Sequence, residues 1–160
     1  MLTALDPLRQ LNFASLLFRL ALARFFGGMI GMERERKRRP AGFRTYMLVC
    51  LGATLAAIVS QYNFIMLNTT FYETMKEVGR TTDVSRIGAK VIGGIGFLGA
   101  GTVIVTGRQE VKGLTTAAGL WASACMGLAI GAGFYECVVL AFLLIFLCIR
   151  LLQPLENLMV

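Results

Sequence analysis

Histidine is absent from all 160 residues. That removes the usual general base near neutral pH, the Ser-His-Asp constellation and the commonest transition-metal ligand. Charge is scarce as well, with 16% of residues Asp, Glu, Lys or Arg against about one quarter in soluble domains. Acids are the scarcer sign, nine against sixteen Lys and Arg, which leaves a formal charge of +7. No CxxC pair occurs among Cys50, Cys125, Cys137 and Cys148. Three of the four lie deep in apolar runs, which reads as free buried thiols rather than a disulfide framework or a metal site. The N-terminus lacks the form of a cleavable signal, because Asp6 offsets Arg9 and Arg19 interrupts the apolar stretch before Ala21-Leu22-Ala23. The first apolar run is therefore expected to be retained.

What is present is hydrophobicity: 56% of the chain, at a mean hydropathy of +0.69. A water-soluble domain is excluded on that composition. Apolar runs near 13–32, 44–62, 86–106, 114–133 and 134–152 are each close to the ~20 residues a membrane helix needs. The fold class that follows is an all-α integral membrane bundle of about five transmembrane helices, one domain over residues 1–160. Five spans place Arg34, Arg36, Lys37, Arg38, Arg39, Arg44, Arg108, Lys112 and Arg150 on one side, against Arg9, Lys76, Arg80 and Arg86 on the other. Basic loops stay cytoplasmic, so the N-terminus is expected outside and the C-terminus in the cytoplasm. Basic residues explained as topology signals imply no nucleic-acid partner. Residues 63–85 form the one substantial external loop, with Tyr72 to Asp83 readable as a short interfacial helix.

The runs differ in their small residues. The fourth carries Thr115, Gly119, Ser123, Gly127 and Gly131 at steps of four, and the first offers Ala23, Gly27 and Gly31. The second has Gly52, Ala56 and Ser60, and the third Ala89, Gly93 and Gly101. Such ridges let membrane helices approach closely, so four runs are expected to form a tight bundle. The fifth has bulky residues all round and suits a peripheral, lipid-facing place. An internal echo links Gly27-Gly28-Met29-Ile30-Gly31 with Gly93-Gly94-Ile95-Gly96, each followed by a basic turn and then a Gly and Thr. Two repeated helical hairpins and chance similarity both account for it. In either case Thr45, and Thr115 or Thr116, are candidates to cap helix N-termini, and such ends attract anions.

Gly94-Ile95-Gly96-Phe97-Leu98-Gly99 matches G-x-G-x-x-G literally. It lies inside a membrane-length run without a preceding strand or a suitably placed acid, so a dinucleotide site is rejected and no cofactor is implied. The glycines are expected to serve close helix contact or a local break.

Five ordered blocks are more specific. They are Gly31-Met32-Glu33-Arg34-Glu35-Arg36, Pro40-Ala41-Gly42-Phe43-Arg44-Thr45, Asp83-Val84-Ser85-Arg86-Ile87, Gly94 to Gly101, and Gly113-Leu114-Thr115-Thr116-Ala117-Ala118 with Trp121. Over about residues 15–135 the chain resembles the MgtC/SapB family. The resemblance implies a multi-pass bacterial inner-membrane protein, linked to growth and virulence under low magnesium. It implies action by modulating other membrane proteins, the ATP synthase or transport systems among them, rather than by carrying magnesium. Many members add a soluble C-terminal cytoplasmic domain, whose function is not carried over to a chain that stops at Val160. The candidate functional or ligand-binding residues are Glu33, Arg34, Glu35, Arg44, Thr45, Asp83, Arg86, Gly94, Gly96, Thr115, Thr116 and Trp121, with Arg19 and Lys90 inside the runs.

The charges bear on mechanism directly. Arg19, Arg24 and Lys90 fall within apolar runs, where a charge costs about 2.5–3.5 kcal/mol on insertion scales, and no carboxylate lies at comparable depth. Arg19 and Lys90 either snorkel to headgroups or meet Asp83, Glu136, an anion or a lipid phosphate. Mg²⁺ needs oxygen ligands, and the acids sit at helix ends. Glu33 and Glu35 lie beside five cations, Glu33 within helical reach of Arg36 or Lys37. Asp83 is placed to cap the third run and pair with Arg86. Glu33, Glu35 and Asp83 are thus the weak metal candidates. Two functions of different class remain: a non-enzymatic regulatory protein that binds lipids and other membrane proteins, or a channel or transporter for Mg²⁺ or another small ion. A homodimer is expected through Gly27/Gly31 or Gly127/Gly131.

Overall fold

Glycines and one strained arginine set where the helices stop. The computed structural model describes residues 6–78, 83–105 and 111–159. A short α1 (Asp6–Arg9) precedes α2 (Phe13–Arg36), and α3 runs Phe43–Thr69. The turn between α2 and α3 holds Arg38 at φ 49°, and the Arg39 N–H donates back to the Arg34 carbonyl. This left-handed residue closes the last turn of α2 as a C-terminal glycine ordinarily would. Next come α4 (Tyr72–Val78) and α5 (Ser85–Gly101), then a two-residue antiparallel pair, β1 (Ile104–Val105) and β2 (Val111–Lys112). Helix α6 (Leu114–Ala132) begins after Gly113 at φ 98° and ends at Gly133 at φ 83°. The Phe134 N–H bonds to the Ala129 carbonyl, so two residues turn the chain into α7 (Tyr135–Met159).

Three of these helices, α2, α3 and α6, are long and apolar enough to cross a membrane. Helix α3 is central, with α2, α5 and α6 packed against it. The small-residue ridges do the packing. A Cβ on Gly31 would fall 2.7 Å from Phe43 Cα, one on Gly27 2.8 Å from Cys50 Cβ, and one on Gly131 2.6 Å from Ala57 Cβ. Backbones in such contact leave no room for a side chain. Around them Ala23, Ile30, Tyr46, Cys50, Leu120 and Ile130 form the main core. Phe26 on α2 meets Phe142 of α7 with ring centroids 4.6 Å apart. The outside is apolar instead of polar: Phe13, Leu48, Phe97 and Leu144 are each more than 60% exposed. An apolar exterior over helices of this length makes this a membrane protein.

Several sequence expectations need revision. Helix α3 extends seven residues beyond the expected 62, to Thr69, whereas α5 stops at Gly101 rather than 106. The interfacial helix covers only Tyr72–Val78 within the expected Tyr72 to Asp83, and residues 79–82 and 106–110, with Arg80 and Arg108, lie outside the described residues. All four cysteines are free, but only Cys50 is buried; Cys137 and Cys148 face outward on α7. Length of apolar run does not say which side of a helix is packed. The peripheral place expected for the last run matches α7, which leaves Leu140, Leu143, Leu144 and Leu147 exposed.

The third run departs most. Helix α5 is unbroken and buries only Ile95 and Gly99. A Cβ on Gly93, Gly94, Gly96 or Gly101 would meet nothing within 4 Å. The G-x-G stretch therefore does not break the helix, and it packs within the chain only through Ile95 and Gly99, leaving Gly94 and Gly96 open. The echoed hairpins also pack differently, since Gly27, Gly28 and Gly31 are all in contact while Gly93, Gly94 and Gly96 are open.

Candidate functional site

Two buried arginines, one at each end of α6, organise the polar interior. Among the described residues they are the only charged side chains that are buried. Arg19, fully buried on α2, sits where α6 ends and α7 begins. Its Nη1 donates to the Gly131 carbonyl at 2.6 Å and to Gln61 Oε1 at 3.0 Å. Nη2 donates to the carbonyls of Arg9 at 2.7 Å and Leu8 at 3.3 Å, and Nε to the Tyr135 hydroxyl at 3.2 Å. A guanidinium has five N–H donors, and each is used. Tyr135 in turn donates to the Leu8 carbonyl at 2.7 Å, and Gln61 Nε2 to the Ala132 carbonyl at 3.3 Å. The arrangement satisfies C-terminal carbonyls of α6 and sets a positive charge at the negative end of its dipole. It holds α1, α2, α3, α6 and α7 at one point.

The expected partners of Arg19 are not the observed ones. It neither snorkels nor meets a carboxylate; Glu136 pairs with Arg9 instead, at 2.6 Å. The carbonyls freed at a helix end supply what the acids were expected to supply. Gln61 and Tyr135 went unnoticed in the sequence. A lone glutamine near the end of an otherwise apolar run was the available signal, because an uncharged polar group in a bilayer needs a partner. Lys90 and Arg24 are both exposed on the outer surface.

At the other end of α6 lies Arg34 of α2, 3% exposed. Its Nη2 donates to Thr116 Oγ1 at 2.8 Å, and the guanidinium lies against the Tyr46 side chain. The Tyr46 hydroxyl donates to the Thr116 carbonyl at 3.2 Å. Arg34 Nε is buried with no partner. Neither neighbouring acid reaches it. Glu33 pairs with Lys37 at 3.1 Å, as its helical spacing predicts, and Glu35 Oε2 accepts the Phe43 N–H at 2.8 Å. Gly42 and Phe43, at the entry to α3, are packed on the Glu35 side chain. Met32, Glu35, Arg36 and Phe43 line an open groove of about 400 Å³.

The threonine caps are corrected by this geometry. The residues before α3 and α6 are Gly42 and Gly113, which have no side chain to cap with. Thr45, Thr115 and Thr116 lie inside the first turns, with Thr45 and Thr115 exposed and Thr116 buried as the acceptor for Arg34. Glu35, from another helix, does for α3 what Thr45 was expected to do. Asp83 behaves more nearly as expected: Oδ1 accepts the Ser85 N–H at 2.9 Å and the Ser85 hydroxyl at 2.6 Å. Those bonds, with the Arg86 charge, hold its carboxyl below the ordinary range. Arg44, Arg86 and Trp121 are exposed, and Gly94 and Gly96 lie on the open side of α5. The structure thus gathers Arg34 and Thr116 at one end and leaves Arg19, Asp83, Lys90 and Trp121 elsewhere. Among the described residues no three acids or cysteines come together as a metal-binding group.

The MgtC family profile matches residues 20–158. This chain belongs to the MgtC family. It is 43% identical over 123 residues to YhiD of Escherichia coli strain K12, a protein named as a candidate magnesium transporter; the match covers 77% of the chain and 54% of that protein. It is 37% identical over 138 residues to Protein MgtC of Brucella abortus strain 2308, covering 86% and 51%. It is 34% identical over 140 residues to Protein SapB of Bacillus subtilis strain 168, covering 86% and 56%. The chain thus spans little more than half the length of these relatives. No solved structure matches it. The family blocks of this MgtC-family chain fall mostly at one end of the bundle, where α2 stops and α3 and α6 start.

Proposed function

We propose that this chain is a multi-pass protein of the bacterial inner membrane that modulates other membrane proteins, without enzymatic activity, as part of magnesium homeostasis. Its five long helices cross the bilayer, with the N-terminus outside and the Arg34 end of α6 in the cytoplasm. The placement follows from the basic turn Arg34 to Arg39 and the rule that such turns stay inside. The magnesium association and the link to virulence rest on the family and on the names of relatives such as YhiD.

The observation that carries this reading is the sign of the buried charge. Among the described residues both buried charges are arginines, and a Mg²⁺ ion passing about 10 Å from one of them meets a barrier of about 3 kcal/mol at an effective dielectric near 20. The helices in between are sealed by backbone-tight contacts at Gly27, Gly31, Gly127 and Gly131. A second reading, a channel or transporter for Mg²⁺ or another small ion, draws on the YhiD name.

Modulation requires a free surface, and α5 supplies one. Gly93, Gly94, Gly96 and Gly101 support no contact within the chain, and Lys90 is exposed beside them. Because Gly27/Gly31 and Gly127/Gly131 are occupied internally, the homodimer expected from those pairs moves to α5 in this proposal. The occupant is a transmembrane helix, from another membrane protein such as a transport system or the ATP synthase, or from a second copy. Cysteine cross-linking at position 94 in native membranes tests it, against position 127 as the buried comparison. Adducts at 94 alone support the proposal, and adducts at neither position sink it.

A further inference from the structure

Helix α6 carries a buried arginine at each end, and the two are not equivalent. Arg19 lies at the C-terminal end, where the dipole is negative, with all five donors used. Arg34 lies at the N-terminal end, where the dipole is positive and a cation is unfavourable. It is 3% exposed, its Nε has no partner, and its hydrogen bond to the Thr116 hydroxyl and its contact with the Tyr46 side chain both reach neutral groups. The nearby acids are engaged, Glu33 with Lys37 and Glu35 with the Phe43 N–H. The intrahelical ladder of α6 starts with the Ala117 N–H on the Gly113 carbonyl, which leaves the N–H groups of Leu114, Thr115 and Thr116 as first-turn donors. Leu114 and Thr115 are exposed beside the buried Thr116. The idle guanidinium nitrogen and the first-turn N–H groups are all donors at a positive helix end, and among the described residues no carboxylate is paired with Arg34.

We propose that the N-terminus of α6 together with Arg34 is an oxyanion site for a phosphate group. The anion enters at the exposed Leu114–Thr115 edge and takes first-turn N–H groups of α6. It also draws the Arg34 guanidinium into a charge-assisted bond that occupies the idle Nε. A planar guanidinium presents two donors in parallel to such an anion, and a helix N-terminus adds dipole and amide donors. The phosphate belongs either to an anionic lipid headgroup or to free phosphate, which share this chemistry. The exposed basic turn Arg36, Arg38 and Arg39 raises the local anion concentration without forming the site.

The test uses the full chain in maltoside micelles, which contain no phosphate. One arm titrates inorganic phosphate against chloride at matched ionic strength; the other adds phosphatidylglycerol. Thermal unfolding and retained phosphorus are read in both. Stabilisation in the first arm identifies free phosphate as the source, and stabilisation in the second alone identifies the lipid headgroup; either supports the site. Arg34→Gln is expected to weaken binding about tenfold or more, while Arg39→Gln, in the exposed turn, stays within about twofold. Should Arg34→Gln fail to fold, Arg34→Lys keeps the charge but lacks Nε, and is expected to lose about threefold or more. No response in either arm, or a wild-type response in Arg34→Lys, overturns the proposal.

Discussion

Gly127→Ala adds one methyl group and should cost this protein about as much as a cavity-forming change in a packed core. The new Cβ would lie 2.9 Å from Ala53 Cβ and 3.1 Å from the Cys50 carbonyl carbon, and closer still to the Cys50 oxygen. Carbon contacts settle at about 3.5–4.0 Å, so α3 and α6 must part by roughly 1 Å along a shared seam. One turn on, Gly131 is equally tight against Ala57, which prevents α6 from tilting to relieve the clash. Overpacking of this kind costs about 1–3 kcal/mol. Separation also stretches the bond from Thr54 Oγ1 to the Gly127 carbonyl, 2.9 Å long and worth about 1 kcal/mol. The expected loss is therefore about 2–4 kcal/mol. Gly94→Ala is the matched comparison, because its Cβ meets nothing and alanine is the better helix former by about 1 kcal/mol. Equilibrium unfolding in mixed micelles, followed by the single tryptophan Trp121, measures both. Equal destabilisation by the two changes would show that the packing assigned to α6 is wrong.

Other changes probe the remaining contacts. Arg19→Lys should lose at least two of five hydrogen bonds and about 3–6 kcal/mol in the same assay, at about 1.5–3 kcal/mol for each bond to a charged group; wild-type stability would contradict the staple. Asp83 has a folded-state pKa below its unfolded one, so its contribution is present above the unfolded value and is lost as pH falls through the folded one. Acidification should accordingly lower the protection factor of the Ser85 N–H, the exchange rate taken relative to its intrinsic rate at each pH, with Asp83→Ala unprotected throughout; a pH-independent protection factor in the wild type would contradict the cap. A lipid-soluble maleimide should modify Cys137 and Cys148 in intact membranes and spare Cys50, and early reaction of Cys50 would mean the α2–α3 contact is loose. Gly94→Leu should leave the fold intact yet abolish capture of a partner helix, and unchanged cross-linking would remove α5 as the docking face.

Hydrophobic runs announced the helices well, because bilayer thickness constrains length whatever the neighbours are. Helix ends were less legible. Thr45, Thr115 and Thr116 looked like caps, yet Glu35 reached α3 from another helix and Gly113 adopted a left-handed turn that no composition rule places. The small-residue ridges read correctly on α2 and α6, where glycines meet α3, and incorrectly on α5, where the same spacing faces outward. Spacing identifies a smooth face but not its occupant. Arg34 was visible only as part of a motif, since its isolation depends on Glu33 and Glu35 choosing Lys37 and the Phe43 N–H. Arg19 was visible as a buried charge, but its partners come from four separated segments, α1, α3, α6 and α7.

The most direct test of a modulator with a cationic interior is Mg²⁺ flux into liposomes containing the purified full chain and a trapped Mg²⁺-sensitive dye. Uptake should equal that of protein-free liposomes, for the wild type and for Arg19→Ala alike. Saturable uptake by the wild type, altered by Arg19→Ala in protein that remains folded, would contradict the account and make the chain a transporter.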